Sequence, residues 1–207
     1  MIRPDNSETR KLAAEIVANG GLIAFRTDTF YGLGVDPFNA SAVARIVSLK
    51  GRDEGKPILL LISDVRDVDR LLQSKPPLFD RFIHKFWPGP LTMVARAVSA
   101  LAPEVTAHTG TVGLRLPDEE NVRDLVRACG GTLTATSANP SGHEPARSSV
   151  EVESYFPNGV DLIIDGGDVT VTKPSTVIDI AEFPPRVIRE GAISRVELEA
   201  AWKEMFQ

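Results

Sequence analysis

The sequence predicts an α/β fold, a twisted mixed sheet with flanking helices. Three observations carry this: short apolar runs alternate with helical patterns along most of the chain, three strand-like runs follow one another near the C-terminus, and turn residues punctuate nearly every step. The turn residues are 16 Gly and 15 Pro among 207 residues. An apolar content of 43% at this length suffices for a core without a disulfide or metal staple. No internal repeat or low-complexity linker interrupts the pattern, so a single domain over 1–207 is expected.

Taken in order, Ser7 is a plausible helix N-cap. Glu8 to Asn19 then places Leu12, Ile16 and Val17 at helical spacing before Gly20 and Gly21 end the helix. Leu22 to Phe25 reads as a buried strand leading into a polar loop, Thr27 to Gly34. Ala40 to Lys50 is a second helix, burying Val43, Ile46 and Val47 and delivering cations at its end, and Pro57 to Ile62 is a strand. Helical patterns recur at Val65–Leu72 and Pro77–Phe86, the latter stopped by Trp87-Pro88-Gly89-Pro90. Leu91–Ala97 and Val112–Leu116 are strand-like, Asn121–Cys129 is helical, and Thr132–Thr136 is a strand before the loop Ser137–Gly142. Strand-like runs at Leu162–Ile164, Thr176–Ile180 and Arg186–Ile188 precede a last helix from Ser194.

Composition narrows the function. The single cysteine, Cys129, makes an intramolecular disulfide impossible and favours a cytoplasmic address. It reads as a small core residue, since no histidine or cation run nearby would activate it. Met1 to Arg10 is charged and polar, so neither a signal peptide nor a membrane span is expected there. A net charge of -5 argues against a general nucleic-acid coat. Several familiar chemistries also lack their motifs. Gly51-Arg52-Asp53-Glu54-Gly55-Lys56-Pro57 is one residue short of a P-loop and has proline where Ser or Thr should hold magnesium. Gly32-Leu33-Gly34 lacks the third glycine of a dinucleotide fingerprint. His84, His108 and His143 show no metal-ligand spacing, and no Gly-x-Ser-x-Gly elbow occurs.

What remains is polar residues at strand and helix ends, where α/β sheets form ligand crevices. Thr27, Asp28, Thr29 and Tyr31 follow a buried strand; Lys50, Arg52 and Lys56 put three cations within seven residues; Thr136-Ser137-Ala138-Asn139-Pro140-Ser141-Gly142 offers small hydroxyl and amide groups. Each has a plain structural reading, as a hydroxyl-rich turn, a solvated helix end and an ordinary loop. Each also has a functional one, because Arg forks, Lys point charges and hydroxyl-bearing loops all bind phosphate or carboxylate. Arg115 and Arg189, embedded in strand patterns, require a counter-anion wherever they are buried, from the protein or from a ligand.

In order and spacing these segments resemble the YrdC/TsaC family of threonylcarbamoyl-AMP synthases. The likeness is carried by Thr27-Asp28-Thr29-Phe30-Tyr31-Gly32-Leu33-Gly34, Lys50-Gly51-Arg52, Phe86-Trp87-Pro88-Gly89-Pro90-Leu91-Thr92, Val112-Gly113-Leu114-Arg115-Leu116-Pro117, the Thr136–Gly142 loop, Pro174-Ser175-Thr176-Val177-Ile178-Asp179 and Arg189-Glu190-Gly191-Ala192. It runs from about Glu8 to Ile193. The resemblance implies a YrdC-like domain around a deep concave cavity, in the short form without a further C-terminal domain. It implies an enzyme that condenses L-threonine, bicarbonate or CO2, and ATP with Mg2+ into threonylcarbamoyl-AMP and pyrophosphate. The product would pass to a tRNA-threonylcarbamoyl transferase complex, with direct tRNA contact a further expectation. The family's Lys-x-Arg and Ser-x-Asn pairs fall on Lys50, Arg52, Ser137 and Asn139 as catalytic residues. Carried over likewise, Arg52, Lys56, Thr111, Ser137 and Arg189 contact ATP, while Thr29, Arg115 and Ser175 hold threonine; no metal ligand is assigned to a protein side chain. Arg26, Asp53 and Leu61 depart from the common pattern, the first two replacing proline and the third a histidine of longer members. The alternative is a non-catalytic module of the same fold that binds double-stranded RNA or tRNA.

Overall fold

The computed structural model describes residues 1–51, 55–170 and 173–203, and the side chains of all of these but Lys203. Its eleven described strands form two mixed sheets where one was expected. The five-stranded sheet contains β1 (Ile2–Pro4), β9 (Leu162–Asp165), β2 (Ile23–Arg26), β3 (Tyr31–Gly34) and β8 (Thr136–Ser137), in that spatial order. The six-stranded sheet runs β11 (Arg186–Arg189), β10 (Thr176–Asp179), β5 (Leu91–Arg96), β6 (Thr111–Arg115), β4 (Leu60–Ile62), β7 (Thr132–Thr134). Both combine parallel and antiparallel pairs, such as β2 with β9 and β2 with β3, or β4 with β6 and β5 with β6.

Two segments depart from expectation for local reasons. Tyr31–Gly34, expected as loop, is a fully buried strand pairing β2 from Arg26↔Tyr31 to Ile23↔Gly34. Its glycines weaken the strand signal, yet the packing requires one of them: a Cβ on Gly34 would lie 2.7 Å from the Phe25 ring. Thr132–Thr136, expected as one strand, is divided between the sheets, Thr132–Thr134 pairing β4 and Thr136–Ser137 pairing β3. The chain crosses at Ala135, whose N–H donates to the Leu59 carbonyl at 2.7 Å.

Helices cover the sheets. α1 (Ser7–Ala18) starts one residue earlier than expected, because the Asn6 side chain accepts from the Thr9 N–H at 2.9 Å and so acts as the cap. α2 (Ala40–Lys50) matches its expected span, capped by Asn39 and closed by Gly51 at φ 57°, a left-handed conformation suited to glycine. Val65–Arg70 is a 3-10 helix, capped by Asp64 and Asp67. α3 (Phe79–Phe86), α5 (Glu120–Ala128) and α7 (Arg195–Lys203) lie where helical periodicity placed them. Periodicity did not announce β1, α4 (Pro103–Thr106) or α6 (Ser149–Tyr155). Val150 and Val152 in α6 alternate like strand residues, and its helical signal is the Ser148 cap, which accepts from the Glu151 N–H at 3.2 Å.

Two apolar clusters hold the layers. Ala13, Val17, Val122, Leu125 and Val126 of α1 and α5 close over Ile23, Phe25, Leu61, Leu133, Leu162 and Ile164. The larger cluster gathers α2, α3 and the six-stranded sheet around Ile46, Phe79, Phe82 and Leu114. Burying each such side chain contributes roughly 1.5–3 kcal/mol.

Candidate active site

A cavity of about 730 Å3 is lined from both sheets, within the size range of small-molecule sites. Six of the expected site residues meet on its wall: Thr29, Thr111, Arg115, Ser137, Ser175 and Arg189. They arrive on different elements, from the β2–β3 connection, β6, β8, the residue before β10, and β11.

Local chemistry fixes each one. The Thr27 hydroxyl donates to the Phe30 carbonyl at 2.6 Å and stands 3.1 Å from the Thr29 hydroxyl, a hydroxyl-rich turn that lies on the cavity wall. Thr111 shares a hydroxyl contact of 2.9 Å with Thr109. Ser175 lies 3.1 Å from the Thr92 hydroxyl, and Arg189 Nη2 donates to the Ser175 carbonyl at 2.9 Å and to its Oγ at 3.2 Å. An expected ATP ligand and an expected threonine ligand are therefore in direct contact. Gly191 makes this approach feasible, since a Cβ there would sit 2.2 Å from the Pro174 carbonyl oxygen.

Arg115 is 2% exposed. Its Nη2 donates to Asp28 Oδ2 and its Nε to the Gly89 carbonyl at 3.0 Å, so the Pro-Gly-Pro turn serves as a backbone acceptor. Burial lowers the Arg115 pKa in spite of Asp28, and burial raises the Asp28 carboxyl above its ordinary 3.8 in spite of Arg115. Both shifts state that desolvation outweighs the mutual attraction. Burial also lowers the Arg189 pKa. The described lining residues include three arginines, Arg115, Arg186 and Arg189, and one carboxylate, Asp179, which suits anionic ligands.

Other expected residues lie apart from this wall. Lys50 is 3% exposed, and its ammonium donates to the backbone carbonyls of Ser137 and, at 2.6 Å, Asn139, bracing the Ser-x-Asn loop from behind. Asn139 is likewise internal to that loop, its amide donating to the carbonyls of Pro140 at 2.9 Å and His143 at 2.7 Å. Lys56 is exposed and outside the lining, beside Pro57, which belongs to it. Arg52 and Asp53 lie outside the described residues. Arg26 makes an ion pair with Glu119, and Leu61 is a buried part of the cavity wall. Burial pushes the Cys129 thiol up to about 12, away from the thiolate form that a nucleophile needs.

Sequence reasoning passed over Thr92, Arg186 and Asp179 as wall residues. Thr92 stood in a quoted motif, but its link to Ser175 depends on the parallel pairing of β5 with β10, Thr92 opposite Val177. Arg186 and Asp179 face each other at 3.6 Å across the β10–β11 hairpin, a pairing no local pattern announces.

Comparison with known proteins fits this geometry. The family model Sua5/YciO/YrdC, described as "Telomere recombination", matches residues 15–191. A threonylcarbamoyl-AMP synthase of Pyrococcus abyssi is 34% identical over 189 residues, 91% of this chain, which spans only 56% of that relative's length. One from Thiobacillus denitrificans is 39% identical over 162 residues, 78% of this chain and 86% of that protein. The crystal structure of P. abyssi Sua5 complexed with L-threonine superposes with a TM-score of 0.90 at 32% identity, covering 97% of this chain and 59% of the other. On a fold shared almost throughout and a family match over most of its length, the chain belongs to the Sua5/YciO/YrdC family.

Proposed function

We propose that the chain is a threonylcarbamoyl-AMP synthase, joining L-threonine, bicarbonate or CO2, and ATP into threonylcarbamoyl-AMP with release of pyrophosphate. The observation that carries this reading is the convergence of Arg115, Arg189, Ser175 and Ser137 on one cavity, with Arg189 touching Ser175. A reaction among anions needs its charges offset and its reacting atoms aligned, and such a wall offers both. The names of the two relatives and the threonine complex of the neighbouring structure point the same way.

In the proposed step the amine of threonine, once deprotonated, forms a carbamate with CO2. A carbamate oxygen bonds to the α-phosphorus of ATP, and the bond to the bridging oxygen breaks, expelling pyrophosphate. Arg115, with Thr29 and Ser175, would hold the threonine; Thr111, Ser137 and Arg189 would hold ATP, joined by Lys56 and by Arg52. Lys50 and Asn139 would act through the loop that carries Ser137. No side chain need serve as a strong base at the phosphoryl step, because the nucleophile is already an anion.

Magnesium would accompany the triphosphate. Asp179, the one carboxylate among the described lining residues, already accepts from the Ala181 N–H at 3.0 Å and faces Arg186. That donor set suits a metal held by phosphate oxygens and water better than a protein cage.

We further propose that the chain forms one synthase domain, that it works in the cytoplasm, and that its product is consumed by a tRNA-threonylcarbamoyl transferase complex, with direct tRNA contact secondary. Among the described residues no helix is long and apolar enough to cross a membrane. The test is incubation with ATP, Mg2+, threonine and bicarbonate, omitting one component at a time, with mass detection of the adenylate. Each omission should abolish the product; pyrophosphate released equally well without threonine overturns the reading.

A further inference from the structure

We propose that the two substrates are joined over Gly113, the bare midpoint of β6, and that this glycine serves the reaction and not the fold. The inference rests on the synthase reading, which gives Thr111 to ATP and Arg115 to threonine and leaves the atoms that join them without a support. β6 sets the three residues on one face: Thr111, Gly113 and Arg115 line the cavity, while Val112 and Leu114 belong to the apolar core behind it. Thr111 and Arg115 stand four residues apart, roughly 13 Å of strand, with Gly113 halfway between them.

Glycine weakens the interior of a strand, and β6 is an interior strand, held between β5 and β4. The backbone does not require it, because the φ of Gly113 lies outside the left-handed region. Nor does the packing. A Cβ on Gly113 would meet only side-chain methyl groups, Thr92 Cγ2 at 3.2 Å, Val94 Cγ2 at 3.7 Å and Leu59 Cδ1 at 3.8 Å, so a shift of a few tenths of an ångström in Thr92 admits it. Gly34 and Gly191 differ: there a ring carbon and a backbone carbonyl oxygen stand well inside 3 Å. Thr92, Val94 and Leu59 are themselves wall residues, so the space a side chain would fill at this position belongs to the cavity. In a strand paired on both sides the N–H and C=O lie in the plane of the sheet, and Gly113 therefore presents its Cα face alone, room without a donor or acceptor. A group suited to such a floor is flat and needs no hydrogen bond from beneath. A carbamate is planar through its nitrogen, carbon and two oxygens, and it is the link between an amino acid held at Arg115 and a phosphate held toward Thr111. Resting on the strand, it directs one oxygen along β6 to the α-phosphorus; that O–P bond forms as the bond to the bridging oxygen breaks, and pyrophosphate leaves with the electron pair. The surrounding methyl groups of Leu59, Val94 and Thr92 keep water from the carbamate and from the mixed anhydride it becomes.

The test is Gly113→Ala in the full chain, read by kcat for adenylate formation and by calorimetric titration with L-threonine and with α,β-methylene-ATP separately. A methyl group beneath the carbamate lifts it by roughly 1 Å, and a misplacement of that size costs about a hundredfold in rate. The variant should therefore lose about a hundredfold in kcat while it binds each substrate alone within threefold of parent. A loss in kcat of less than tenfold overturns the inference. So does a loss of more than threefold in binding either substrate alone, which would put Gly113 beneath that substrate and not beneath the junction. A variant that circular dichroism shows to be unfolded overturns it too, because the glycine would then serve the fold. The parent supplies an independent measurement. In its crystal structure with the stable sulfamate analogue of threonylcarbamoyl-AMP, the carbamoyl carbon should lie in contact with Gly113 Cα, within about 4.5 Å; a carbamoyl group resting elsewhere overturns the placement. A parent that makes no adenylate overturns the synthase reading itself, whereas an active parent with an equally active variant overturns only the placement over Gly113.

Discussion

An ammonium group buried between two carbonyl oxygens acts as an internal brace, and that is how Lys50 sits beneath the Ser-x-Asn loop. The Ser137 carbonyl also accepts from the Asn139 N–H at 3.0 Å, so the lysine closes a turn already tight by itself. Replacing the charge by a flexible apolar chain strips donors from both carbonyls, and hydrogen bonds to charged groups contribute about 1.5–3 kcal/mol each. Lys50→Met should therefore lower the unfolding free energy by roughly 3 kcal/mol by denaturant titration, with catalysis lost as Ser137 drifts. A pure phosphate ligand would behave differently, raising the KM for ATP with the denaturation midpoint unchanged. Cys129 makes the contrast between burial and function: burial raises its thiol, and it packs against the α1–α5 cluster.

At the scale of elements, the β10–β11 hairpin and the segment after it carry the tightest constraint on the site. The Thr176 hydroxyl accepts from the N–H groups of Gly191 at 2.9 Å and Ile193 at 3.0 Å and donates to the Ile193 carbonyl at 2.6 Å. A methyl group at Gly191 would overlap the Pro174 and Ser175 backbone. Gly191→Ala should cost about 1–3 kcal/mol, as overpacking does. It should also raise the threonine KM by displacing Ser175; an unchanged melting temperature and KM would show that the segment has slack. Helices with a clear apolar stripe, such as α5 and the capped α2, were legible in the sequence because local pattern and tertiary packing agree there. β3 and the divided Thr132–Ser137 segment were not, because their pairing is decided by distant partners, Phe25 and Thr136 for one, β4 and β3 for the other. The site followed the same rule. Thr29, Arg115 and Arg189 could be picked out by residue type and neighbours. The inward turn of Lys50 and Asn139 depends on tertiary contact between α2 and the loop after β8, and the place of Thr92 and Asp179 on the wall depends on strand register.

Across the whole molecule, a net charge of -5 coexists with a cavity wall whose described residues carry three arginines and one carboxylate. The fold bears a cost for this, visible in Asp28 and Arg115, both shifted toward neutrality by burial. A carboxyl raised above its ordinary 3.8 binds its proton more readily folded than unfolded, so its contribution to stability falls as pH rises from 3.8 through the raised value. Asp118 and Glu119 push in the same direction, and Arg115 opposes them. Asp64 and Asp161, held low by Arg66 and Arg45, have the opposite sign: they stabilise above the ordinary carboxylate range, and that support is lost as pH falls through their depressed values. Replacing the buried pair with apolar residues, Asp28→Leu with Arg115→Met, should leave stability unchanged or raise it by about 1–4 kcal/mol at neutral pH, with the gain shrinking toward acid. Arg115→Met alone should lose about 3–5 kcal/mol, because it strands Asp28. Equilibrium unfolding of the three proteins checks this, and a double variant less stable than the single one would contradict it.

On the proposed function, the hydrogen bonds from Arg189 to Ser175 give nucleotide and amino acid a shared wall. A nucleotide that draws the guanidinium toward its phosphates loosens the serine on which the amino acid rests, and an amino acid that engages the serine releases the guanidinium. The two affinities are then thermodynamically linked, and linkage is reciprocal: the factor by which nucleotide alters amino-acid binding is the factor by which the amino acid alters nucleotide binding.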